Sequence, residues 1–220
     1  MSRQFEALLT SRLAEGEVEI ALERADWQRL ERLVGLWLRY GRVMNLTSAK
    51  SPEELVPHVL EAILAVSLAR DVGVGAGARW LDVGSGAGFP GLVVAALTEV
   101  ELTMVEPRER RASFLEVALA QLQRSGRVLR GHVDVAAWRP LDRADEDKLE
   151  VGSFDAVSAR AVYAPERWLE IGSSWAGLHG WVFAHLTPGK KSDLLNNPDR
   201  SMKFDQWSVC VFQNAQLRNK

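Results

Sequence analysis

The chain is poor in the residues that build disulfides and metal centres. One cysteine, Cys210, stands among 220 residues, so no internal disulfide can form. A reducing cytoplasm is therefore the expected compartment. Four scattered histidines show no ligand spacing, and no metal is expected. No run approaches the roughly 20 apolar residues of a membrane span, which argues against a membrane partner. The opening "MSRQFEALLT" carries Glu6 where a signal peptide would be apolar, so export is not expected either. A large charge of one sign is also missing. The net charge of −2 excludes a generic polyanion binder.

What the chain does have is the composition of a globular protein, 47% hydrophobic and 25% charged residues. Its length suits one α/β domain with an appendage. The charge is unevenly spread. Residues 24–50 hold six basic and two acidic side chains, residues 107–130 repeat that count, and residues 142–155 hold six acidic and two basic ones. Such blocks are read either as solvated helix faces or as two basic segments flanking one RNA site.

Residues 1–70 read as helical. Trp27, Leu30, Val34, Trp37 and Leu38 recur at helical spacing, with Asp26 as the expected N-cap and Gly41 where the pattern ends. A second helix is expected from "SPEE" to Arg70, with Ser51 as N-cap, Pro52 at the first position and Glu54 as capping-box partner. "VGVGAG", 72–77, is the expected boundary between a helical appendage, 1–72, and a main domain, 73–220. From Arg79 on, strands are expected at 79–84, 101–106, 128–133, 154–160 and 180–186. Helices are expected near 90–98, 108–124 and 164–177. Alternation of this kind predicts a mostly parallel sheet with helices on both faces. "WSVCVFQ", 207–213, reads as one last, antiparallel strand, and the tail past Leu186 looks too short for two closing strands.

After the first strand comes "LDVGSGAGFPG", residues 81–91. Gly86, Gly88 and Gly91 form a G-x-G-x-x-G, the dinucleotide fingerprint. That parse starts too late, because Gly84 already holds the place of the turn glycine. Phe89 and Pro90 stand where a pyrophosphate needs bare backbone, and proline has no N–H to offer. Gly84, Gly86 and Gly88, preceded by Asp82, instead suit S-adenosylmethionine, whose ribose and amino-acid tail pass close over the backbone. Asp82 would receive the ammonium. Glu106, 24 residues after Asp82 at the end of strand two, would accept hydrogen bonds from the ribose hydroxyls. Asp134, after strand three, reads equally as an adenine neighbour or a helix cap.

Strand four ends in "SARAV", 158–162. An Asn/Asp-Pro-Pro-aromatic turn for amino-adenine chemistry is missing there, and Cys210 lies too far along the chain to serve a C5-pyrimidine methylase. What remains is transfer to an atom that is already nucleophilic, such as a ring nitrogen, which needs orientation and no general base. Arg160 would hold a guanine through O6 or clamp a phosphate, or else be an ordinary surface arginine. Arg108, Arg110 and Arg111 read as RNA contacts or as the solvated first turn of a helix.

Together these segments resemble a known family. "YGRVMNLTSAKSPEELVPHVLEAI", "LDVGSGAGFPGL", "VEPRERRASFLEVALAQL" and "FDAVSARAV" are similar to the motifs of the RsmG (GidB) family, 16S ribosomal RNA guanine-N7 methyltransferases. The resemblance implies a class I, Rossmann-like, S-adenosylmethionine-dependent fold, with S-adenosylhomocysteine as product and 16S rRNA or the small ribosomal subunit as partner. It puts Asp82, Gly84, Gly86 and Glu106 on the cofactor, and Ser85, Gly88, Pro90 and Asp134 are further expected cofactor residues. It makes Asn45, His58 and Arg160 the residues near the methyl or the guanine, and Arg110 and Arg111, with Arg108, the RNA contacts. The family's usual Asp-Ser is replaced by Glu61 and Ala62, and Leu186 takes the place of its lysine, for which Lys190 or Lys191 would substitute. Two alternatives stay open: a methyltransferase acting on a small molecule or protein, and a ribosome-binding module without turnover.

Overall fold

In the computed structural model residues 3–16, 18–142, 149–186, 198–204 and 207–217 are described. Three helices come first: α1 (Arg3–Glu15), α2 (Arg24–Met44) and α3 (Pro52–Asp71). The start of α2 corrects the expected Asp26 cap. Glu23 is the cap, and Asp26 works one turn inside, accepting the Glu23 N–H at 2.9 Å and pairing with Arg29 at 2.6 Å. The helix also runs past Gly41, because Asn45 adopts the left-handed conformation, φ 50°, and returns its N–H to the Gly41 carbonyl. At α3 the Ser51 hydroxyl accepts the Glu54 N–H at 3.4 Å, while the Glu54 carboxylate takes the Lys50 N–H at 3.0 Å. Thirteen of the twenty residues of α3 are buried, the pattern of an interior helix.

The sheet contains β1 (Arg79–Val83), β2 (Glu101–Val105), β3 (Gly126–Leu129), β6 (Phe154–Ala159), β7 (Ala176–Leu186), β8 (Arg200–Phe204) and β9 (Trp207–Gln213). Their order is β3-β2-β1-β6-β7-β9-β8. The first five strands are parallel, and β9 runs antiparallel to both β7 and β8. Helices α4 (Gly91–Leu97), α5 (Glu109–Leu122) and α6 (Pro165–Trp175) make the crossovers, and α7 (Asn214–Leu217) closes the described chain.

Two expectations change here. The third strand is broken in two: β2 stops at Val105, the Glu106 N–H takes the Leu129 carbonyl, and β3 has no neighbour beyond that point. The chain past Arg130 forms β4 (Gly131–Asp134), which pairs antiparallel with β5 (Ala137–Pro140). The tail, read as too short, does supply two closing strands, since β8 pairs antiparallel with β9 and Phe204 lies opposite Trp207.

Each face of the sheet has its own core. One packs Trp80, Leu92, Phe114, Phe183 and Phe204 together with Phe5, Leu30, Trp37 and Ile63 of the first three helices. The other joins Leu81, Val83, Phe154 and Phe212 to Trp168, Ile171 and Trp175 of α6. No described helix is long and apolar enough to cross a membrane.

Candidate active site

β1 has β2 on one side and β6 on the other, so their crossovers diverge and open a crevice at the carboxyl ends of the strands. Open α/β sheets bind ligands at such a switch point. A cleft of about 520 Å³ lies there, within the usual range for small-molecule sites. Its wall comes from the turn after β1, the residues after β2, Gly131–Val133 of β4, the turn after β6, the α2–α3 loop at Leu46–Ser48, and His58 of α3.

The glycine turn works as its composition suggests. Gly84, Gly86 and Gly88 have φ of 67°, 57° and 92°, values L side chains rarely adopt. At Gly84 a Cβ would also lie 2.4 Å from a Val162 methyl, so a larger residue would push the β6 turn away. The Gly86 N–H donates to Glu106 Oε2 and the Arg108 N–H to Oε1, both at 2.9 Å. Those two bonds orient a carboxylate that is 3% exposed and leave each oxygen a further lone pair. A ribose diol needs an acceptor of that kind. From behind, Trp37 of α2 donates its Nε1–H to the Ala87 carbonyl at 2.7 Å and stacks on Phe89 at 4.2 Å between centroids.

The opposite wall is built around Arg160. Its Nε donates to Glu61 Oε2 at 2.6 Å, and its Nη2 donates to His58 Nδ1 at 2.9 Å. Accepting at Nδ1 makes His58 the neutral, Nε2-protonated tautomer. Burial lowers the pKa of His58 and the Arg160 charge lowers it further, against a smaller opposing effect of Glu61. Burial would raise the Glu61 carboxyl, but the hydrogen bond and charge of His185, then Arg160, outweigh it and hold it low. The Arg160 guanidinium also lies over the rings of Trp207 and Phe89, at 5.6 and 5.8 Å.

Of the residues singled out from sequence, Gly84, Ser85, Gly86, Glu106, Arg108, Arg111, His58 and Arg160 meet on this one cleft. Gly88 and Pro90 do not line it. They close the turn into α4, where the Phe89–Pro90 peptide is cis. Asp82 is fully buried behind the wall, its Oδ1 bonded by Ser158 Oγ at 2.8 Å and its Oδ2 without a partner. Burial pushes its carboxyl up, against the hydrogen bond from Ser158. Asn45 is exposed at the end of α2, and its carbonyl accepts Arg111 at 3.3 Å. With Arg108, Arg110 and Arg111 it borders a second hollow of about 340 Å³. Asp134 is turned from the cleft into ion pairs with Arg167 and Arg139. Lys190 and Lys191 lie outside the described residues.

Sequence reasoning missed part of the site. Glu61 was named only as a departure from the family pattern; it stands three positions after His58 on α3, which puts both on one helix face. His185 and Trp207, on β7 and β9, reach Glu61 and His58 only through the closing half of the sheet, and nothing local announced them.

Comparison with known proteins agrees with this geometry. A family model described as "GidB: rRNA small subunit methyltransferase G" matches residues 26–217. A curated Ribosomal RNA small subunit methyltransferase G of Anaeromyxobacter sp. is 30% identical over 195 residues, 88% of this chain and 82% of the relative. The protein of that name from Aquifex aeolicus is 40% identical over 163 residues, 73% and 75% of the two chains. Among solved structures, the T. thermophilus 16S rRNA N2 methyltransferase RsmC, in complex with AdoMet and guanosine, has a TM-score of 0.52 and 18% identity over 71% of this chain and 43% of that one. An RNA methyltransferase from Salinibacter ruber in complex with S-adenosyl-L-homocysteine has a TM-score of 0.50 and 12% identity, over 69% and 90%. At such identities the two structures speak to the fold, which is the class I S-adenosylmethionine-dependent one.

Proposed function

Since the chain belongs to the rRNA small subunit methyltransferase G family, an S-adenosylmethionine-dependent methyltransferase family, we propose that it methylates N7 of a guanine in 16S rRNA. The observation that carries this reading is the meeting of the glycine turn, Glu106 and Arg160 on one cleft.

The bound cofactor supplies a methyl group on a sulfonium. Glu106 holds the ribose diol, and Gly84 and Gly86 let the ligand run close over bare backbone. Asp82, Gly88 and Pro90 act from behind, shaping the turn, with the buried Asp82 charge placed to favour the ammonium. The methyl the cofactor would supply goes to the guanine N7 lone pair, which would form the new N–CH3 bond while the C–S electrons return to sulfur. The positive charge passes from sulfur to the purine ring. No proton moves, so no general base is required, and His58 serves as a neutral hydrogen-bonding group. Arg160 donates to O6 and leaves N7 open. Arg108, Arg110, Arg111 and Asn45, at the mouth, contact the RNA backbone. Division into a helical appendage, 1–72, and a methyltransferase domain, 73–220, belongs to the same reading, as does a cytoplasmic location beside the ribosome.

The test is to map methyl-guanine in 16S rRNA from cells with and without the gene, and to repeat the transfer in vitro on naked rRNA and on small subunits. Loss of one 7-methylguanine with the gene supports the proposal; an unchanged map refutes it. RNA binding should also weaken steeply as salt rises, since phosphate contacts release counterions. A small-molecule enzyme would bind no RNA at any salt.

A further inference from the structure

Glu61 and His185 have no part in the steps above, yet both are buried beside the residue that holds the base. Glu61 is 2% exposed and the His185 side chain 1%. The two oxygens of Glu61 are separately taken. Oε2 accepts Arg160 Nε at 2.6 Å, and Oε1 accepts His185 Nδ1 at 3.0 Å. His185 Nε2 is buried and has no partner among the described residues. Arg160 thus gives Nε to α3 through Glu61 and Nη2 to α3 through His58, while β7 fixes the plane of the Glu61 carboxylate through His185.

We propose that Glu61, backed by His185, is the positioning and charge-compensating residue of the methyl transfer, acting through Arg160. The inference rests on the guanine-N7 reading and deepens it in two ways. The first is geometric. A free arginine grips guanine by O6 and N7 together, which would cover the nucleophile. With Nε and one Nη2 proton committed to Glu61 and His58, the guanidinium presents mainly Nη1 to the base and can hold O6 alone. The second is electrostatic. Attack by N7 delivers a positive charge to a ring lying against a guanidinium, and like charges repel strongly where water is excluded. The Glu61 carboxylate offsets the guanidinium charge, so the product ring meets less positive charge.

Glu61→Gln keeps the shape, removes the charge and points an amide N–H2 at one of two donors. Single-turnover methylation of small-subunit rRNA should slow about 100-fold, the cost typical of roughly 1 Å misplacement, while S-adenosylmethionine affinity by calorimetry stays within about twofold. Glu61→Asp keeps the charge and should recover part of that rate. A direct readout needs no turnover. The Arg160 Nε–H resonance, assigned by its loss in Arg160→Lys, should exchange slowly in the wild-type protein and become unprotected in Glu61→Gln. Equal rates in Glu61→Gln and wild type, a parallel loss of cofactor binding, or Glu61→Asp no faster than Glu61→Gln would overturn the proposal. So would a rapidly exchanging Arg160 Nε–H in the wild-type protein, which decides the matter even if a variant fails to fold. If the wild-type protein transfers no methyl to small-subunit rRNA, the functional reading fails, and the resonance alone judges whether Glu61 fixes Arg160.

Discussion

Asp82 is a residue that carries a cost to stability. It is fully buried, one of its oxygens lacks a partner, and burial raises its pKa. An unpaired carboxylate in such a place opposes folding. Asp82→Asn keeps an acceptor for Ser158 and sheds the charge. Its unfolding temperature at pH 7 should equal or exceed that of the wild type, while cofactor affinity by calorimetry falls about tenfold, in line with the ~1.5–3 kcal/mol of a charged hydrogen bond. A variant that loses stability and keeps affinity would show that the charge serves the fold. His58 adds a pH dependence of definite sign. Its folded pKa lies below 6.5, so the unfolded chain binds the proton more readily. Its contribution to stability is complete above pH 6.5 and is lost as pH falls through that value. The low pKa of Glu61 adds a loss of the same sign, which sets in only below 4.5. The raised pKa of Asp82 works in the opposite sense, costing stability as pH rises above 3.8. In the Asp82→Asn variant, where the opposing group is gone, denaturant unfolding between pH 5 and 7 should show stability rising with pH, and adding His58→Gln should flatten that rise. An unchanged slope would remove His58 as its source.

At the scale of elements, α2 controls the glycine turn. Its stripe of Leu30, Val34 and Trp37 was plain in the sequence as a core face, yet Trp37 also holds the turn through the Ala87 carbonyl and the Phe89 ring. Trp37→Phe keeps a ring on Phe89 but strands that carbonyl. An unfolding free energy lower by about 1–3 kcal/mol is expected, with weaker cofactor binding because the Gly86 N–H on that turn orients Glu106. Full affinity in a destabilised variant would uncouple helix from turn. The element reading failed where pairing partners decide the outcome. Apolar spacing suggested one strand over 128–133, whereas the end of β2 splits it into β3 and β4. Phe204, pressed against the last turn of α1 at Gly16, belongs to a strand with few apolar residues of its own.

Over the whole molecule, the first three helices share a core with the sheet. Ile63 and Leu64 of α3 lie in one cluster with Leu92 of α4, Phe114 of α5 and Val209 of β9. A chain beginning at residue 73 would expose that face of the sheet and its helices. We expect it to be insoluble or to lack a cooperative thermal transition; a soluble fragment that unfolds cooperatively and binds S-adenosylmethionine would show that the appendage is dispensable for folding. The cleft also needs both parts, since His58 and Leu46–Ser48 come from the first and the glycine turn from the second.

The sequence by itself determined the glycine turn and the acidic residue that faces it. The glycines, the Phe-Pro that refuses a phosphate, and Glu106 at the next strand end act through backbone conformation and short-range order, which neighbours along the chain control. Tertiary structure alone decided which groups surround Arg160. Glu61 of α3, His185 of β7 and Trp207 of β9 are brought to it in the turn after β6. A buried charge is worth keeping only beside its partners, and folding, not sequence spacing, chooses those partners.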